Sequence, residues 1–287
     1  MNRVLLACAL CLASLIGCSR ITIAYNTADF FAKQYAVDYL NLATDQVSRW
    51  EPRLERELAR HRSDELPHLA AFFDQTLKAS QSGFDRDNMT CLTHAFRDLY
   101  KRHARLAIAL AAPLLADLTA SQVGALERRF REEATEDRED LAKRSLAWEK
   151  MKRTRRYVES IEAWTGPLRD DQKAIVADVT GRIPDAEAAV VDYRARQRQA
   201  LISRLRSGAK EPEIAAFMTA WLVDFRDLPP PLERAGDAIE ARIQELFIRM
   251  GASFDDGQRR HLEKRLRQLR DDLMQLQKHP RMAPMPC

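Results

Sequence analysis

The chain has 287 residues, 31% of them charged, and a formal net charge of +4. Glycine is scarce, at 9 residues, and Ala, Leu, Arg, Glu, Asp and Gln dominate, which argues against a sheet and for helices. The near balance of charge excludes the strongly basic surface of a nucleic-acid binder, and the length leaves room for a full core.

Residues 1–17 read as an export signal. Arg3 supplies the positive start, and Val4 to Ile16 is an apolar run too short for a bilayer that needs about 20 residues. Leu15, Ile16 and Gly17 then stand directly before Cys18. This arrangement resembles the lipobox of bacterial lipoproteins. The resemblance implies diacylglycerol on the Cys18 thiol, cleavage before Cys18 and acylation of the new amine. Cys11 follows the bulky Leu10, and Cys8 has almost no apolar run ahead of it, so Cys18 is favoured. Several acyl chains, each buried CH₂ adding about 0.8 kcal/mol, would make the anchor permanent. By the sorting pattern of the enterobacterial lipoproteins that this segment resembles, Ser19 in place of Asp implies the outer membrane, facing the periplasm. Loss of residues 1–17 removes Arg3, Cys8 and Cys11, leaving a charge of +3 and Cys18, Cys91 and Cys287. In an oxidising compartment Cys91 and Cys287 are candidates for a disulfide; the alternative is a frayed tail with a free thiol.

Residues 18–40 form the anchored segment. Ile21 to Ala24 is apolar, Tyr25-Asn26 marks a turn, and Phe30, Phe31, Tyr35, Tyr39 and Leu40 gather aromatics near the anchor. Their helical spacing favours a first core helix over a surface touching lipid headgroups. A helix is predicted over 42–62, kinked or restarted at Pro52. Ser63 or Asp64 caps the next, with Leu69, Phe72, Phe73 and Leu77 on one face. After a turn around Gly83, a helix over 88–110 carries Leu92, Phe96, Leu99, His103, Leu106 and Leu110 as its apolar stripe and is interrupted at Pro113. Residues 119–164 hold no proline and one glycine, Gly124, so they are the longest helical candidate. Its stripe runs from Val123 through Trp148 and Met151 to Val158, and the rest is densely charged, acidic over 132–140 and basic over 150–156. Helices over 170–180, 185–207 and 211–225 follow. Asp227-Leu228-Pro229-Pro230-Pro231 is the strongest linker signal, and two helices over 232–250 and 255–277 close the fold around Gly251. The expectation is an all-α, elongated multi-helix bundle with one long charged helix, a single helical domain over 41–279 and a flexible tail over 280–287.

One phrase recurs: an apolar residue, then Gln four positions on. It ends at Gln46, Gln122, Gln172 and Gln258, and Trp50, Leu126, Val176 and Leu262 stand four residues after each. The physical reading is a helix start, in which Thr119 with Gln122, or Asp255 with Gln258, makes a capping box. Leu118, Thr119 and Gln122 also complete the Leu-Thr-x-x-Gln motif, and there the chain resembles the Spy-type periplasmic chaperones, which are all-helical and cradle unfolded proteins. The intervals between the four glutamines, 76, 50 and 86 residues, are too unequal for a solenoid. A second resemblance covers more of the chain. The lipobox, Tyr25-Asn26, Asp38-Tyr39, Gln46 and His61-Arg62-x-x-Glu65-Leu66-Pro67 resemble an uncharacterised family of proteobacterial outer-membrane lipoproteins, which implies fold and location. Trp50 and Pro52 depart from the uninterrupted helix expected there.

The histidines do not assemble into a site. His61, Glu65 and His68 could share a face that Pro67 disturbs; Cys91, His94 and His103 lack the fourth ligand a zinc site needs. No metal or other cofactor is expected. No Gly-rich phosphate loop or nucleophile elbow occurs, so the chain does not read as an enzyme. Arg259, Arg260, Lys264, Arg265, Arg267 and Arg270 surround one acid, Glu263. They are candidates for contact with anionic lipid phosphates or with the acidic stretch 132–140; the alternative is a solvated face. These readings point to a lipid-anchored, non-catalytic envelope protein that binds other proteins, chaperone-like, with the membrane as partner through Cys18 and no nucleic acid. The alternative is a structural or assembly lipoprotein with one dedicated membrane partner.

Overall fold

The computed structural model describes residues 20–285, so the signal, the lipobox, Cys18 and Cys287 lie outside the described residues. Among the described residues there is no strand, and the chain forms an elongated multi-helix bundle. Its helices are α1 (Arg20–Asn26), α2 (Ala28–Leu40), α3 (Thr44–Arg60), a π turn (His61–Glu65), α4 (Leu66–Ser82), α5 (Arg86–Ala116), α6 (Ala120–Lys143), α7 (Leu146–Thr165), α8 (Asp170–Gly181), α9 (Glu187–Arg206), α10 (Glu211–Leu222), α11 (Pro230–Ser253) and α12 (Asp256–Gln275).

The recurring glutamines explain the plan. Each accepts, through Oε1, the backbone N–H of the residue that opens its own helix: Ala43 to Gln46 at 2.9 Å, Thr119 to Gln122 at 2.8 Å, Arg169 to Gln172 at 3.0 Å and Asp255 to Gln258 at 3.2 Å. They also pair. Gln46 and Gln122 exchange amide hydrogen bonds at 3.1 and 2.7 Å, and Gln172 and Gln258 do the same at 2.8 and 2.9 Å. Every Nε2 makes a further bond, to the carbonyl two residues before its partner's helix-opening residue: Asp117, Asn41, Ser253 and Pro167. Such fully satisfied amides can be buried without loss.

The two junctions organise an internal duplication. In the first half α2 packs on α3 and α6, and α3 on α5; in the second α7 packs on α8 and α12, and α8 on α11. The halves exchange helices: α4 lies against α12, α9 against α6, and α5 meets α11 between them. Cores sit both at these seams and within the halves. Ile108, Leu126, Leu201, Ile202, Ile214 and Val223 fill a seam; Leu168, Val176, Val179, Leu246 and Met250 fill the second half's own interior. Each fully buried aliphatic side chain contributes about 1.5–3 kcal/mol.

Several local expectations are corrected. The long charged helix over 119–164 is two helices: Arg144 is extended (φ −73°, ψ 133°), held by Asp185 at 2.7 and 2.8 Å, and Ser145 caps α7. The longest helix is instead α5, 31 residues, which passes through Pro113. α3 runs unbroken through Pro52, which is exposed, so water can take the carbonyl that proline leaves without a donor. Gly251 does not break α11; it lets Phe84 pack close, where an added Cβ would fall 2.6 Å from the ring. The start of the tail also touches the body: Arg281 donates to the Ser63 carbonyl at 3.2 Å and Ala283 N–H to the Pro67 carbonyl at 3.1 Å.

Candidate functional site

A polar cluster that joins α1, the π turn and α5 forms where α3 gives way to α4. Pro67 cannot supply an N–H, and the helix does not stop at Ser63 or Asp64 to accommodate it. It widens into the π turn, with Leu66 N–H reaching the His61 carbonyl five residues back. The bulge turns His61 inward and Arg62 toward α1. There Tyr25 and His61 share a hydrogen bond of 2.9 Å between the phenol and Nδ1. Arg62 donates to Asn26 Oδ1 at 3.0 Å and lies over the Tyr25 ring at 5.0 Å. On the body side, Glu65 accepts two bonds from Arg102, at 2.6 and 3.0 Å. His103 stands edge-on to His61 at 5.2 Å and donates from Nδ1 to the Leu99 carbonyl.

Burial, with the His103 charge second, pushes the His61 pKa down to about 4, so the ring is neutral at neutral pH. Burial likewise raises Tyr25 and lowers His68, the latter helped by Arg102. The cluster opens onto a cleft of about 800 Å³ whose walls carry Arg60, Arg62, Lys278 and Arg281 against Asp29 and Glu55. Its polar groups are engaged with one another, and it clamps α1 onto the body. Among the described residues no group of three or more His, Cys, Asp and Glu side chains could hold a metal ion.

A family model described as a family of unknown function, DUF6279, matches residues 38–226. The chain belongs to the DUF6279 family. No curated protein and no solved structure matches it. The DUF6279 match takes in His61, Arg62, Glu65, Gln46, Gln122 and Gln172, whereas Tyr25, Asn26 and Gln258 lie outside it. Thus each glutamine junction and the π-turn cluster stand at least partly on the family's matched region.

The sequence-predicted residues of this DUF6279 chain fare differently. Leu118, Thr119 and Gln122 do open a helix with a capping box, and their larger role, coupling to Gln46, carried no local signal. Cys91 is disulfide-bonded, which removes it from any metal set, and its mate lies outside the described residues, as Cys287 does. The basic face is divided. Arg259 is spent on the Phe254 and Gly251 carbonyls and Arg270 on Asp74 and Asp271, while Arg260, Lys264, Arg265 and Arg267 remain exposed. The acidic stretch does not meet this face; Glu133 and Asp137 pair with Arg198 and Arg194 of α9, each at 2.5 Å.

Two aromatic surfaces escaped the periodicity. Phe30, Phe31 and Tyr35 are 58%, 64% and 67% exposed, so the first-core-helix expectation fails for them. Phe96, placed by spacing on the apolar stripe of α5, is 62% exposed. It lies beside Phe72 at 6.4 Å and one turn from Tyr100, which stacks on Phe225 at 5.8 Å. The result is an aromatic strip across α4, α5 and the loop after α10. Phe225 holds a φ of 51°, uncommon for a bulky residue, and the Tyr100 hydroxyl donates to the Leu222 carbonyl at 3.0 Å beside it.

Proposed function

We propose that the protein is a lipid-anchored, non-catalytic component of the bacterial envelope. It is held to the outer membrane by Cys18, faces the periplasm and binds exposed apolar segments of other proteins in a chaperone-like way. The observation that carries the binding role is the strip of exposed Phe96, Tyr100 and Phe225, flanked by the half-buried Phe72, since contiguous exposed aromatics on a helical body mark an interaction surface. The disulfide at Cys91 supports an exported, oxidising location. The Leu118-Thr119-Gln122 phrase supports a likeness to Spy-type chaperones in how helices are joined. Because those residues hold the bundle together, client contact is assigned to the aromatic strip.

The test is suppression of aggregation of unrelated unfolded proteins by the mature chain carrying Cys18→Ser, compared with the same chain carrying Phe96→Ser and Tyr100→Ser. Suppression that falls in the double variant supports the reading. Equal aggregation with and without the protein sinks it. A single stoichiometric partner captured by crosslinking in cells would replace it with the assembly-lipoprotein role.

A further inference from the structure

A helix that packs on a protein body ordinarily turns its large apolar side chains inward. α2 does the reverse. Its inward side carries Ala32, Ala36, Val37 and Leu40, packed on Trp50 and Leu54, while Phe30, Phe31 and Tyr35 point out. Ile23, 47% exposed, extends the outward side onto α1, and the two helices run on with only a turn at Thr27, bridged by bonds from Thr27 N–H to Ile23 and from Phe31 N–H to Thr27. The aromatics are ordered rather than splayed: Phe30 and Phe31 meet edge-on at 5.4 Å, and Tyr35 stacks on Tyr39 at 5.4 Å.

Two features name what covers this face. α1 opens at Arg20, two residues after Cys18, a span of at most about 7 Å. Any lipid on Cys18 therefore holds α1 and the start of α2 at the bilayer surface. The cationic cleft of Arg60, Arg62, Lys278 and Arg281 opens at the same end, and Asp29 on its wall directly precedes Phe30. Aromatic side chains beside cations at a membrane-proximal helix suit the headgroup layer, where rings bury and charges meet phosphate.

We propose that the outward face of α1 and α2 (Ile23, Phe30, Phe31 and Tyr35) is a membrane-docking surface that lies in the headgroup layer of a phospholipid bilayer and fixes how the body stands on it. The inference rests on the anchored reading of Cys18.

The test uses the mature chain carrying Cys18→Ser, so that no acyl chain contributes, with sedimentation on vesicles of phosphatidylethanolamine and phosphatidylglycerol. The chain is expected to partition onto vesicles, and the triple variant Phe30→Ser, Phe31→Ser, Tyr35→Ser to lose about tenfold or more. Phe96→Ser with Tyr100→Ser, on the other aromatic surface, should leave partitioning intact. The replaced side chains are exposed, and unchanged circular dichroism and melting temperature verify the fold. Equal partitioning of the triple variant, or none by any form, overturns the proposal. A dimer that the triple variant dissociates, with vesicle binding unchanged, also overturns it and assigns the face to a second copy. Radiolabelled palmitate incorporation that disappears with Cys18→Ser tests the anchor separately.

Discussion

The most constrained residues are the paired glutamines. Gln172 is fully buried, and its amide serves the Arg169 N–H, the Ser253 carbonyl and both ends of Gln258. Gln172→Met keeps the volume and strands all of these partners. We expect a loss of about 3 kcal/mol in denaturant unfolding, and a double variant with Gln258→Met that costs less than the two singles summed, because they share one interaction. His61 carries a different liability. Unfolded, it takes its proton near pH 6.5; folded, among His103, Arg62, Arg102, Glu65 and Tyr25, it resists until about pH 4. Between those values the unfolded chain holds the extra proton, so stability falls as pH drops from 6.5 towards 4 and is fully present above 6.5. The effect is on the order of 2 kcal/mol after solvent screening. The melting temperature should drop between pH 7 and pH 5, and His61→Gln should flatten that drop; an unchanged slope would show that His61 is not its source.

At the scale of elements, helix identity was legible in the sequence because composition and stripe spacing report on burial summed over many residues. Boundaries were legible where a local device sets them: Thr119 and Asp255 accept the N–H groups of Gln122 and Gln258 as their spacing predicts. Boundaries failed where tertiary contacts decide. Between residues 119 and 164 the break at Arg144 is marked only by Ser145, one capping residue in a run without proline; Asp185, 41 residues on from Arg144, holds it. Pro52 and Pro67 read as breaks, yet α3 continues past the first in solvent and the π turn absorbs the second, with Arg281 meeting the Ser63 carbonyl nearby. The site was visible as fragments. Tyr25-Asn26 and His61-Arg62 stood out, but their meeting across 36 residues needs the bulge, which has no sequence period. The exposed aromatics were misplaced for a related reason. Phe96 shares its helical stripe with Leu92 and Leu99, and spacing cannot distinguish a residue under a neighbouring helix from one just beyond its edge.

At the scale of the molecule, each half has a core cluster of its own, around Trp50 and Leu54 in the first and Val176 and Leu246 in the second, while the exchange of α4 and α9 builds the further clusters that join the halves. The end of the chain bears on one of them. After α12 crosses α4, the tail runs along α4 in the same direction as that helix, meeting Ser63 through Arg281 and then Pro67 through Ala283. Phe72 lies against Phe96, so in this antiparallel hairpin Cys91 of α5 stands level with Leu77 of α4. From Pro67 to Leu77 is about 15 Å of helix, and the four residues from Pro284 to Cys287 can span about 14 Å when extended. If, as proposed, Cys18 is acylated and Cys8 and Cys11 leave with the signal, Cys287 is the mate we expect for the bonded Cys91. That bridge would close a loop across both halves and fasten α12 to the α4–α5 hairpin. Bridges of native proteins contribute about 2–4 kcal/mol. Mass spectrometry of an unreduced digest should find the peptides of Cys91 and Cys287 joined, and Cys287→Ser should free the Cys91 thiol and lower the melting temperature. A Cys91 peptide linked to any other cysteine would reject the pairing. It would also leave the α4–α12 crossover to depend on side-chain packing and the Arg270–Asp74 ion pair at 2.9 Å.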